Sequence, residues 1–308
     1  MKRVVSVSLG SSRRDKKTTA TFLGETFQID RIGTDGDTRK FRELLAGLDG
    51  QVDAICLGGM DRYVWSGGRR YEFREARNLI KGIDKTPIVD GSGLKNTLER
   101  ETVRWLVKNG IIDFAHKKTL MVCGVDRFGM SEALVEQGGP VIFGDLMFNL
   151  DLPLAIRSWG AHKTLAAALL PLVTQAPFAL LYPTGEKQNE IKPKWGAYYT
   201  WADVLAGDFL LIRRYLPAPT ASGPQPLAGK AVLTNTTRPD DVEELRKRGV
   251  DLLVTSTPNF EGGSFGTNAI EGVLVALNGG KTLTPEEYLE TLQKLGWTPH
   301  IQRLQESA

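Results

Sequence analysis

Cysteine is nearly missing from this chain: Cys56 and Cys123 are the only two among 308 residues, and both stand inside apolar runs. That excludes a disulfide framework and a cysteine-built zinc site, and it points to a reducing, cytoplasmic setting. The three histidines, His116, His162 and His300, share no metal-ligand spacing, and no H-E-x-x-H, G-x-S-x-G or Cys–His pattern occurs, so no metal is expected. No apolar run approaches a membrane span, and Met1-Lys2-Arg3-Val4-Val5 enters a strand-like stretch without a signal-type core. Charge of one sign is not in excess either: 39 basic against 36 acidic residues give +3, scattered along the chain, which argues against a nucleic-acid partner.

What the chain does have is alternation. Short β-branched runs at Val4–Leu9, Thr26–Arg31, Val52–Leu57 and Pro87–Asp90 read as strands, with helices at Thr38–Leu48, Phe73–Lys81 and Leu98–Lys108. A second series predicts strands at Thr119–Cys123, Val141–Phe143, Phe178–Leu181, Phe209–Ile212, Ala231–Thr234 and Leu252–Thr255. Helices at Met130–Gln137, Lys163–Val173 and Asp240–Lys247 fall between them, and a last one runs from Pro285 to Leu295. This rhythm predicts an α/β protein with two Rossmann-like doubly wound domains and mainly parallel sheets. A substrate domain is expected over residues 1–115 and a dinucleotide-type domain over 116–308, with the Pro-rich stretch 217–229 as a surface crossover.

Two strands end in nearly the same word. Gly59-Met60-Asp61-Arg62-Tyr63 follows one, and Gly124-Val125-Asp126-Arg127-Phe128 follows the other. Strand carboxyl ends are where open α/β sheets place ligands, so each word marks a candidate site wall. In the second copy, Gly124 and Gly129 hold the first and third positions of a G-x-G-x-x-G turn, and Asp145 stands 21 residues past Gly124 where an adenosine ribose is bound. Asp126 occupies the middle glycine's place, with Arg127 as its charge partner; alternatively, Asp126 caps the following helix. In the first copy, Asp61 and Arg62 read as a facing substrate wall.

Other stretches could carry chemistry. Gly91, Ser92, Gly93 and Asn96, in Asp90-Gly91-Ser92-Gly93-Leu94-Lys95-Asn96-Thr97, are candidate substrate contacts, since consecutive glycines let amides converge on an anion. The same residues also suit a tight turn with a helix cap. Lys95, with Asp61 or Asp90, is the expected catalytic pair, because burial can bring a lysine toward neutrality for proton transfer. Pro258–Asn268 is a glycine-rich candidate lid, while Asn268 and Glu271 have capping-box spacing. The basic stretch Gly10–Thr18 lacks a full phosphate-loop pattern and reads as a mobile solvated loop; Glu186–Trp195 is either an anion grip or a solvated segment.

Some of these residues resemble a family. Leu252-Leu253-Val254-Thr255-Ser256-Thr257-Pro258 is similar to a strand of shikimate and quinate dehydrogenases, and Thr234-Asn235-Thr236-Thr237-Arg238-Pro239 is similar to their N-R-T loop. Together with Val125–Gly129, Phe143–Phe148 and Ser264–Asn268, they resemble bacterial proteins labelled quinate 5-dehydrogenase. The resemblance implies a substrate domain first and a nicotinamide domain second, with Thr236, Arg238, Thr257 and Pro258 as cofactor contacts. The family's glycine-rich loop and its lysine and aspartate motifs are missing, so it transfers no catalytic residue.

The resulting expectation is an NAD(P)-dependent oxidoreductase acting on a small hydroxylated acid of the quinate or shikimate kind, with NAD favoured over NADP by Asp145. Two alternatives stay open: a transferase for a nucleotide-sugar or phosphorylated ligand, and a non-catalytic metabolite-binding protein. A small molecule is the expected partner; a homodimer is compatible with this reading and not required by it.

Overall fold

The computed structural model describes residues 1–178, 190–257, 259–260, 263–264 and 266–305. Its strands are β1 (Lys2–Ser8), β2 (Lys16–Phe22), β3 (Glu25–Gly33), β4 (Ala54–Gly58), β5 (Tyr63–Ser66), β6 (Arg69–Glu72), β7 (Ile88–Val89), β8 (Thr119–Met121), β9 (Val141–Phe143), β10 (Val204–Ala206), β11 (Ala231–Thr234), β12 (Leu252–Thr255), β13 (Asn259–Phe260), β14 (Gly263–Ser264) and β15 (His300–Arg303). The helices are α1 (Thr38–Leu48), α2 (Arg74–Leu79), α3 (Ser92–Lys108), α4 (Phe128–Glu136), α5 (Asp145–Leu150), α6 (Trp159–Val173), α7 (Gly196–Trp201), α8 (Phe209–Arg214), α9 (Pro239–Lys247), α10 (Thr267–Leu277) and α11 (Pro285–Lys294). Among the described residues, no helix is long and apolar enough to cross a membrane.

The chain divides into two compact units that interleave in sequence: Met1–Thr97, Ala167–Lys187 and Pro258–Trp297 form the first, and Leu98–Ala166, Gln188–Thr257 and Thr298–Ala308 the second. The sequence reading places one boundary after residue 115 instead. Interleaving follows from where apolar faces find cover. Helix α10 lies on β1 and β4 of the first sheet, so closely that a Cβ on Gly272 would run into Cys56 Sγ and Val4 Cγ1. The chain end then supplies β15 to the second sheet, antiparallel to β12.

In the first unit the strand order is β2-β3-β1-β4-β7, parallel except for the β2–β3 hairpin. Val4, Val5 and Val7 of β1 and Ala54–Leu57 of β4 are fully buried, as parallel strands covered on both faces must be. Asp37 starts α1 by accepting the Arg39 and Lys40 amides, and the helix buries Phe41 and Leu45. Since β3 lies on one side of β1 and β4 on the other, the carboxyl ends of β1 and β4 flank the sheet's switch point.

In the second unit the order is β15-β12-β11-β10-β8-β9. Its core has two layers that follow strand alternation: Leu120, Leu205, Val232 and Leu253 join one, and Met121, Val204, Ala206, Leu233 and Val254 the other. Strands β9 and β10 lie on opposite sides of β8, so the switch point falls at the carboxyl ends of β8 and β10. Both units thus carry the mainly parallel, Rossmann-like sheets expected from the alternation.

Several elements differ from expectation. Phe209–Ile212 is not a strand: it opens α8, which Asp208 caps through the Leu210 amide, burying Phe209 and Ile212 on one helical face. The strand is the preceding Val204–Ala206. Phe178 is helical rather than the start of a strand, and the remainder of that expected strand lies outside the described residues. The basic stretch after β1 is solvent-exposed over residues 13–17, as expected, and is structured: a 3-10 turn at Ser12–Arg14 precedes β2.

Candidate functional site

Both copies of the repeated word sit at a switch point. In the first unit, β4 is followed by Gly59, held at φ +72°, a left-handed conformation suited to glycine, and the chain turns through Met60 and Asp61 into the β5–β6 hairpin. Lys95 comes from the first turn of α3, and its Nζ lies 3.8 Å from Asp61 Oδ1, with side-chain exposures of 13% and 23%. The expected catalytic pair of Lys95 and Asp61 is therefore brought together. Arg62 forms the outer edge: its Nε donates to Glu72 Oε1 at 2.8 Å and its guanidinium lies over the Tyr63 ring.

Asp90 organises the backbone beside this pair. Its Oδ2 accepts the Arg62 and Tyr63 amides at 2.6 and 2.9 Å, and its Oδ1 accepts the Ser92 amide and hydroxyl at 3.1 and 2.7 Å. This buried carboxylate fixes the path of the repeated word.

The glycine turn at 91–93 does gather amides around an anion, and that anion belongs to the protein. Glu271 Oε2 accepts the Gly91 amide at 2.5 Å, and Oε1 accepts the Leu94 amide at 3.2 Å and the Tyr288 hydroxyl at 2.5 Å. Gly91 has φ +93°, and a Cβ on Gly93 would sit 2.6 Å from Glu271 Oε1. Burial and the Asp90 carboxylate push the Glu271 carboxyl up to about 7, against these donors. The capping box expected of Asn268 and Glu271 is not formed. Gly266 precedes α10, and Asn268 donates instead to Ser6 Oγ and the Leu57 carbonyl. Asn96 Oδ1 is buried and has no hydrogen-bond partner among the described residues.

In the second unit the word is built differently. Arg127 is 4% exposed; its Nη1 donates to Glu99 Oε1, its Nη2 donates to Asp208 Oδ2 at 2.7 Å, and Asp126 Oδ2 lies 3.8 Å from its Nε. Burial opposes the charge, yet the Glu99, Asp208 and Asp126 carboxylates outweigh it and hold the guanidinium protonated well above its ordinary range. Asp208 also accepts from Asn235 Nδ2 at 3.3 Å. Arg127 itself stands at the start of α4 without a side-chain cap.

Gly124 is required by packing. A Cβ there would lie 2.8 Å from both His162 Nε2 and Phe143 Cδ1 and 3.0 Å from Ser131 Oγ. Gly129 is buried within α4. Asp145 Oδ1 accepts the Val125 amide at 2.8 Å and Oδ2 bonds His162 Nε2 at 3.0 Å, so both oxygens serve the turn itself. His162 is stacked on Phe143 and Trp159.

Of the remaining expected cofactor contacts, Thr236 and Thr257 meet at the ends of β11 and β12, hydroxyl to hydroxyl at 3.0 Å. Arg238 starts α9, its backbone amide and Nε both bonded to Asp241 Oδ2. Pro258, Glu261, Gly262 and Phe265 of the candidate lid lie outside the described residues, as does the first part of Glu186–Trp195. Sequence reasoning missed Glu99, Asp208 and Tyr288, and assigned Glu271 to a cap. One signal for Asp208 was available: Gly207-Asp208 before an apolar run has the form of a strand end followed by a helix cap.

A family model described as Domain of unknown function (DUF8754) matches residues 93–304, and one described as Domain of unknown function (DUF8753) matches residues 3–90. No curated protein matches the chain. Solved structures similar to it include a galactofuranose binding protein, at 12% identity over 96% of this chain and 99% of that one, with a TM-score of 0.40. An NAD-dependent malic enzyme from Thermotoga maritima is 9% identical over 96% of this chain and 84% of its own, with a TM-score of 0.39. A periplasmic ribose ABC transporter from Conexibacter woesei is 12% identical over 95% and 94% of the two chains, also at 0.39. Likenesses this distant carry no functional argument.

Proposed function

We propose that this chain, which belongs to the family described as Domain of unknown function (DUF8754), binds a small hydroxylated acid at the carboxyl edge of the first unit's sheet. The observation that carries the reading is the Lys95–Asp61 pair, 3.8 Å apart and mostly shielded from water, on the segments that follow β4 and β7. A ligand hydroxyl set between the two donates to Asp61 and accepts from Lys95. Such charge-assisted bonds are roughly twice as strong as neutral ones. The same pair is able to take up or return a hydroxyl proton, so the site suits acid–base chemistry on an alcohol.

The test is a calorimetric titration with quinate and with shikimate. Saturable binding is expected, weakened about tenfold or more in Lys95→Met and in Asp61→Asn, as loss of one charge-assisted bond requires. Absence of binding, or full affinity in both variants, overturns the proposal.

An NAD(P)-dependent dehydrogenase is the second reading. It is favoured by Gly124, which stands between β8 and α4 at the second sheet's switch point. The residues there fit a pyrophosphate poorly. Arg127 is bound to Glu99 and Asp208, and Asp126 and Asp208 add negative charge where phosphates would lie. Both Asp145 oxygens are engaged by Val125 and His162. A shift in melting temperature with NAD(H) or NADP(H) would support this reading, and none would discount it.

A further inference from the structure

The stretch after β1, Gly10-Ser11-Ser12-Arg13-Arg14, belongs to neither reading above, yet it is a built turn at the first sheet's switch point. Ser11 Oγ accepts the Arg13 amide, Asp35 Oδ1 accepts the Ser12 amide at 2.8 Å, and the Asp35 amide donates back to the Gly10 carbonyl. Gly33, at the end of β3, approaches so closely that a Cβ on it would lie 2.6 Å from the Ser11 carbonyl carbon and the Ser12 nitrogen.

Two guanidinium groups close on this turn. The Nη2 atoms of Arg14 and Arg31 lie 2.8 and 3.2 Å from where a Cβ on Gly10 would be, so both reach the same small patch beside the Gly10 backbone. Arg31 is fixed there: its Nη1 donates to the Ser11 carbonyl and to Asp15 Oδ1, each at 3.0 Å, and Asp15 Oδ1 also accepts the Gly33 amide at 2.6 Å. The Arg14 side chain makes no hydrogen bond or ion pair among the described residues. Burial, and after it the Arg14 charge, lowers the Arg31 pKa from its ordinary value, in spite of Asp15 and Asp35. Two like charges held side by side repel, and an oxyanion spanning their free N–H edges turns that repulsion into attraction on both sides.

We infer that Gly10, Arg14 and Arg31 form an oxyanion subsite, which takes the carboxylate or phosphate group of a small ligand. It uses different side chains from the Asp61–Lys95 pair and does not depend on that pair's role. Guanidinium groups match both anions through paired N–H donors.

The experiment titrates the full chain separately with inorganic phosphate and with acetate, at constant ionic strength set by chloride. One of the two is expected to bind saturably, and which one tells whether the natural group is a phosphate or a carboxylate. Arg14→Ala should weaken that binding about tenfold or more, as loss of a charge-assisted contact requires. Arg13→Ala, which removes the same charge from the neighbouring exposed residue, should change it by less than about twofold, as expected for a screened surface charge. Saturation by neither anion, full affinity in Arg14→Ala, or equal losses in both variants would overturn the assignment. Because Arg14 holds no internal bond, its variant tests binding without threatening the fold.

Discussion

Gly59–Tyr63 and Gly124–Phe128 occupy equivalent places, each following a central parallel strand at the switch point of its own sheet, yet their charged residues are used in opposite ways. In the first unit, Asp61 faces Lys95, and Arg62 stays partly exposed on Glu72. In the second, Arg127 is drawn inward between Glu99 and Asp208. What separates them is not the word but the carboxylates that other elements bring to it. Glu99 from α3 and Asp208 from the end of β10 leave Arg127 with internal partners, whereas in the first unit α3 delivers an ammonium. A repeated motif therefore marks a repeated location, while its chemistry is set by what the fold packs against it.

The comparison is tested most severely by removing each arginine. Arg127→Ala would break the pair with the Glu99 side chain, which is 2% exposed, and about 3–5 kcal/mol of stability should be lost in chemical denaturation. Arg62→Ala breaks a partly exposed pair and should cost roughly 1 kcal/mol or less. Equal losses would mean that the two words are built alike.

Next in size is a pH effect confined to the first unit. Glu271 titrates near 7 in the folded chain against an ordinary 4.5, so between these values the folded state holds a proton that the unfolded state has released. Stability is therefore highest at the acid side of this window and falls as pH rises through about 7, by up to roughly 3 kcal/mol. Denaturation midpoints measured across the window should show the decline in the native sequence and a flatter profile in Glu271→Gln. An unchanged slope in the variant would place the titrating group elsewhere.

The two glycines should separate by a smaller margin. Gly124→Ala forces a methyl against His162, Phe143 and Ser131, which costs about 1–3 kcal/mol as overpacking. Gly59→Ala meets mainly the left-handed backbone penalty of about 1–2 kcal/mol, with its nearest neighbour, the Gly10 nitrogen, at 3.1 Å. Thermal denaturation of both variants checks the order.

Much of the architecture was legible because parallel strands buried on both faces leave continuous apolar runs, as at Ala54–Leu57 and Leu252–Thr255. The antiparallel edge strands were not: β2 reads Lys-Lys-Thr-Thr-Ala-Thr-Phe with only Ala20 and Phe22 buried, and β15 reads His-Ile-Gln-Arg with no buried residue. Phe209–Ile212 misled because a four-residue apolar run does not reveal its period, and a helix buries it as well as a strand does. At the site, Lys95 and Asp61 were found because both lie next to strand ends. The partners of Arg127 and of the 91–93 turn were hidden, since Glu99, Asp208 and Glu271 reach them across 28, 81 and 180 residues of sequence. Only folding brings such carboxylates to their donors.

The division of labour between the two words is tested most directly by titrating quinate into the native chain, Asp61→Asn and Asp126→Asn under identical conditions. The account predicts saturable binding that Asp61→Asn weakens about tenfold or more and Asp126→Asn changes by less than about twofold. Loss in Asp126→Asn with affinity retained in Asp61→Asn would contradict it.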